Sequence, residues 1–148
     1  MDLVLDACVA LDWFLPSAPG QAYSAKLLKI AANGDAQFHV PLHFDVEVVG
    51  QLVKHHRRTP EIHTANWLKH SLQTLDLLPI ATHALGINFK VLGDLALAYK
   101  LSAYDTPYFH LARTLGAWAL VLQVATRESS RHLLGASKFG NKFRPTAQ

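Results

Sequence analysis

Short unbroken apolar runs alternate along this chain with longer stretches in which apolar residues return every three or four positions. The short runs suit strands buried on both faces, and the periodic stretches suit helices that lay one face on a core. Leu3, Val4 and Leu5 predict a first strand, Phe38 to Val40 closed by Pro41 a second, Leu77 to Ile80 interrupted by Pro79 a third, and Trp118 to Leu122 a fourth. A helix is predicted from about Gln21 to Ala32, stopped by Asn33-Gly34, because Gly and Asn readily take the left-handed backbone that ends helices. Further helices follow from four stripes: Leu42, Val46, Val49 and Val53; Ala65, Leu68, Leu72 and Leu75; Ala84, Ile87, Val91, Leu95 and Ala98; and Tyr104, Tyr108, Leu111 and Leu115. Strands that alternate with helices in this way predict an α/β domain around a mostly parallel sheet.

Composition narrows the class. At 148 residues the chain has room for one full core and not for two, so residues 1–148 are expected to form a single domain. Half of the residues are hydrophobic and only 17% are charged, which excludes a disordered or low-complexity chain. A single Cys forms no internal disulfide, Asp2 stands where a secretory signal needs basic residues, and no apolar run approaches a membrane span. A soluble cytoplasmic protein is the expectation. The formal net charge of +3 is compatible with a nucleic-acid partner and too small to require one.

Three acids stand at the ends of predicted elements. Asp6 directly follows the first strand, where an open α/β sheet meets its ligands; Asp is also a preferred helix N-cap, and the residue alone does not decide between the two. Glu47 follows Val46 and so lies about 100° around the helix from it, at the border of the expected buried face, where a carboxylate needs a cation or donor. It also suits a solvated first turn, favoured by the helix dipole. Asp105 in SAYDTPY has the S-x-x-D spacing of a capping box with Ser102, while Pro107 fits a helix that starts at Asp105 itself. If the fold gathers these acids they repel one another. The usual remedy is a hard divalent cation, which can polarise a phosphodiester and activate a water.

The segments VLDACVALDWFLP, VPLHFDVEVVGQLVK and LSAYDTPYFHLARTLGA resemble, in order and spacing, the main blocks of PIN-domain proteins, above all the VapC-like toxins of toxin-antitoxin pairs. The resemblance runs from about Leu3 to Leu122. It implies a three-layer α/β/α sandwich with a mostly parallel central sheet, and a central acidic groove holding Mg²⁺ or Mn²⁺. It also implies cleavage of RNA phosphodiesters, a homodimer, and a VapB-like antitoxin that blocks the groove. Carried over by position, the catalytic and metal-binding acids are Asp6, Glu47 and Asp105. The family's fourth acid falls on Gln123, whose amide can still accept or donate but adds no negative charge; Glu128 and Asp94 are weaker candidates for that place. Cys8 replaces the small residue, commonly Ser, that follows the first acid by two positions.

Basic residues add a candidate RNA track. Lys54, His55, His56, Arg57 and Arg58 end the helix of Glu47, and Lys54 and Arg58 share its face by steps of three and four. Cations at that end also complement a helix dipole. Lys138, Lys142 and Arg144, interleaved with Phe139 and Phe143, read as an edge strand more readily than as a base-stacking tail. The nine His show no paired zinc spacing and read as surface or partly buried residues. Two other functions stay open: a degenerate PIN domain that binds RNA or protein with little cleavage because of Gln123, and a stand-alone PIN nuclease without an antitoxin.

Overall fold

The structure, a computed structural model, describes residues 1–15 and 21–120. In chain order its elements are β1 (Asp2–Leu5), α1 (Ala7–Leu11), α2 (Gln21–Ala32), β2 (Gln37–Pro41), α3 (Phe44–Arg58), α4 (Ala65–Asp76), β3 (Ile80–His83), α5 (Phe89–Tyr99), α6 (Asp105–Leu115) and β4 (Trp118–Leu120). The strands form one parallel sheet in the order β3-β2-β1-β4. The mixed α/β class with a parallel sheet is therefore as the sequence predicts.

Leu3, Val4 and Leu5 alternate between the two sides of β1 and are all buried, so both sides of this strand are covered. Phe38 and Val40 of β2 are fully buried as well. Each such side chain contributes roughly 1.5–3 kcal/mol relative to an exposed one. Helix α6 packs over β1, β2 and β4, and α1 packs against α3. Helix α2 ends where expected: Gly34 has φ +79°, and its N–H and that of Asp35 bond back to Ala31 and Ile30. Gly116, at φ +60°, closes α6 in the same way.

Several predicted faces are corrected. In α3 the buried residues are Phe44, Val48 and Leu52, whereas Leu42, Val46 and Val49 are exposed. This helix carries two apolar stripes centred about 130° apart, and the one holding the bulkier Phe44 and Leu52 is turned inward. In α4 the residue at the centre of the buried side is Ser71, with Leu68, Leu72 and Leu75 partly buried around it and Ala65 exposed. The Ser71 hydroxyl donates to the Trp67 carbonyl, which makes its burial tolerable. Ala84 and Ile87 precede α5 rather than lie in it, and Leu92, Leu95, Ala96 and Tyr99 are its half-buried residues. Tyr104 precedes α6 and is exposed, while Tyr108 and Leu111 are buried as predicted.

The third strand starts at Ile80 rather than Leu77. Leu77 ends α4, and the Pro79 carbonyl accepts from the Phe38 N–H as the chain joins the sheet. Residues 121 and 122 of the predicted fourth strand lie outside the described residues, as do Gln123, Glu128 and the Lys138–Arg144 segment.

Candidate functional site

The strand order sets where a ligand meets this sheet. From β1 the chain passes to β2 and then β3 on one side, and β4 returns on the other side of β1. Open α/β sheets bind ligands beyond the carboxyl ends of the strands where the order reverses in this way. Asp6, the residue after β1, stands at that place.

Asp6 does two things at once. Its Oδ1 accepts from the Cys8 N–H at 3.0 Å and caps α1, so the capping role is real. The residue is also only 4% exposed. Burial, followed by the charges of Asp105 and Glu47, pushes its carboxyl from 3.8 up to about 6, against the lowering effect of the Cys8 N–H. The charges of Asp105 and Glu47, on two other elements, thus both reach Asp6. The neighbouring Cys8 thiol is pushed up to about 12, by burial first and then by Asp6, Glu47, Asp105 and Asp12. It stays protonated and is no nucleophile at neutral pH.

Glu47 lies in the first turn of α3, 100° from buried Val48, and so borders the core from the opposite side to the one predicted. Its Oε2 accepts from the Tyr108 O–H at 2.8 Å. Tyr108 is fully buried in α6, one turn after Asp105. Burial, then the hydrogen bond and charge of Glu47, push its phenol well above the usual value, so the hydroxyl remains a donor. The His43 ring meets Tyr108 edge-on with centroids 5.2 Å apart, and its Nε2 lies 3.9 Å from Glu47 Oε2. That nitrogen is shielded from solvent and has no hydrogen-bond partner among the described residues.

Asp105 is half-buried at the start of α6. One half of the capping box forms, since the Ser102 hydroxyl accepts from the Asp105 N–H at 3.0 Å. The helix nevertheless begins at Asp105, with Pro107 in its first turn, which directs this acid to the same edge of the fold as Asp6.

Asp6, Glu47 and Asp105 carry hard carboxylate oxygens, the donor type a divalent cation takes, and the charges of the latter two raise Asp6. As the side chains stand, no three His, Cys, Asp or Glu among the described residues are close enough together to enclose an ion.

The remaining candidates fall elsewhere. Lys54, Arg57 and Arg58 are exposed at the far end of α3. Lys54 and Arg58 keep the flank of Glu47 at roughly 10 and 16 Å along the axis, and Arg57 lies about 80° around it. Asp94 is exposed on α5 and paired with Lys90 at 2.6 Å, and it is not among the charges acting on Asp6. His39 is held between Asp2 Oδ1 at 3.0 Å and His83 at 2.9 Å, and buried His63 is held by Thr59 at 2.7 Å and packed on Trp67. Sequence reasoning passed over Tyr108 and His43 as site residues. Their signal was spacing, three after Asp105 and four before Glu47, which puts each on the face of its acid where the helix extends that far. No protein-family model matches this chain, and no match to it is found among curated proteins.

Proposed function

We propose that this chain is a metal-dependent endoribonuclease of the PIN type, acting in the cytoplasm as the toxin of a toxin-antitoxin pair. The observation that carries the reading is the buried carboxyl of Asp6 at the carboxyl edge of a parallel sheet, where β1 meets its strand-order reversal and the charges of Asp105 and Glu47 both reach it. In this reading the fold is a three-layer α/β/α sandwich, and the three acids hold a Mg²⁺ or Mn²⁺. The ion would supply polarisation of a phosphoryl oxygen and a more acidic bound water. Asp6, buried and rigidly placed as a helix cap, fixes the centre of the site. Tyr108 holds Glu47 in one orientation through its O–H. Lys54 and Arg58 continue the flank of Glu47 and meet backbone phosphates further along an RNA strand. A homodimer and a VapB-like antitoxin follow from the resemblance of the three sequence blocks.

Cleavage of labelled RNA by the purified chain with added Mg²⁺ or Mn²⁺ tests this. Wild type is expected to cut, and Asp6→Asn and Asp105→Asn to lose cutting and growth toxicity. Full activity in both variants refutes the assignment. A second reading rests on Gln123 in place of the family's fourth acid: a PIN domain that binds RNA without cutting it. Retained RNA binding with no cleavage by wild type at saturating metal, and cleavage gained by Gln123→Asp, is the result that favours it.

A further inference from the structure

Helix α5 turns an apolar side outward. Lys90 and Asp94 are its only charged residues and pair with each other at 2.6 Å, yet none of its residues is buried. Its half-buried side, with Leu92, Leu95, Ala96 and Tyr99, packs towards α6. On the outward side Phe89 is 95% and Leu97 82% exposed, and Gly93 stands midway between them. Steps of four put these three on one ridge of the helix. A glycine inside an exposed helix weakens it relative to alanine, and a Cβ at Gly93 would meet nothing within 4 Å beyond its own stretch of helix. No contact among the described residues requires a glycine there, whereas a second backbone approaching from outside does.

We propose that α5 is the contact face of a homodimer, in which two copies of this helix cross antiparallel at Gly93. The partner is a second copy because the ridge reads alike from either end, as a two-fold contact between identical surfaces needs. Phe89 lies four residues before Gly93 and Leu97 four after it, so in this crossing Phe89 stands level with the partner's Leu97. Lys90 then comes within about 3 Å, along the axis, of the partner's Asp94, and the symmetry supplies that pair twice. Parallel copies would instead set Lys90 level with the partner's Lys90. The hollow at Gly93 lets the two backbones approach, with the bulky residues on either side of the crossing. From the usual size of such side chains the outward side of α5 offers on the order of 500 Å², so two copies bury about 1,000 Å², the lower end for a specific interface. The dimer is accordingly weak and reversible, with a micromolar Kd. The inference rests on the homodimer of the reading above and names its face.

Sedimentation equilibrium of the full chain, from about 1 to about 200 µM, tests this and is expected to show a reversible dimer for wild type. Gly93→Gln is expected to raise the Kd by about tenfold or more without lowering the melting temperature, since glutamine is the better helix former and its Cβ meets open space. Leu97→Ser is expected to raise the Kd by a similar factor. Lys90→Glu and Asp94→Lys each make the ridge like-charged; each is expected to be monomeric alone, and the two to form a mixed dimer when combined in equal amounts. A dimer whose Kd moves by less than about twofold in both Gly93→Gln and Leu97→Ser is joined elsewhere; it overturns the role of α5 and leaves the homodimer standing. Charge variants that fail to pair on mixing overturn the antiparallel crossing. A wild-type chain that stays monomeric throughout overturns this interface and the homodimer together, whatever else covers α5. RNA cleavage by the same wild-type sample keeps the nuclease reading separate from each of these outcomes.

Discussion

Replacing Asp6 with Asn is expected to stabilise the protein while removing the proposed activity. The folded carboxyl is pushed from 3.8 up to about 6, by burial and then by Asp105 and Glu47. As pH rises between these values the unfolded chain gives up its proton while the folded chain keeps it. Folding therefore weakens across that window and stays weakened above it. The difference of about 2 pKa units corresponds to roughly 3 kcal/mol at neutral pH. Asn removes the charge and retains the cap on the Cys8 N–H, since it caps about as well as Asp. With divalent ions chelated, urea denaturation at pH 7.5 is expected to show a gain of about 3 kcal/mol, falling below about 1 kcal/mol near pH 4. In a melt this corresponds to roughly 6–12 °C. Asp6→Ala also loses the cap, worth about 1 kcal/mol, and is expected to gain correspondingly less. An Asn variant no more stable than wild type at pH 7.5, or equally stabilised near pH 4, would refute the reasoning.

Tyr108→Phe removes the donor on Glu47 and is expected to cost about 1.5–2 kcal/mol in urea denaturation, as for hydrogen bonds to charged groups. Val48→Ala, in the buried stripe of α3, is expected to cost about 2 kcal/mol and Val46→Ala less than about 0.5; comparable losses would mean that the exposed stripe is covered. Lys54→Ala with Arg58→Ala is expected to leave stability unchanged, weaken RNA binding, and flatten the slope of log K against log salt by about 1.4. An unchanged slope places the RNA track elsewhere.

Much of the architecture was legible in local pattern. Leu3 to Leu5, Phe38 to Val40 and Gln21 to Ala32 became strands and a helix because their signals were unambiguous: continuous apolar runs, and a periodic stretch closed by Asn33-Gly34. The inward face of α3 was not legible, because Leu42, Val46 and Val49 follow helical spacing as well as Phe44, Val48 and Leu52 do. Only the packing partner distinguishes them. The start of β3 was hidden for a related reason: Pro79 only interrupts the apolar run from Leu77 to Ile80 in sequence, yet in the fold it supplies the carbonyl on which the strand begins.

At the site, sequence alone determined the acids and their local places: Asp6 after a strand, Glu47 in a first turn, Asp105 at a helix start beside Pro107. These depend on residue type and on neighbours a few positions away. Tertiary structure decided what the acids do to one another, since β1, α3 and α6 are distant in the chain. It buried Asp6 while leaving Glu47 partly exposed, and it set Tyr108 and His43 against Glu47. Electrostatic coupling and burial are properties of distance in space, and spacing along the chain carries them only where one helix or strand joins the residues concerned.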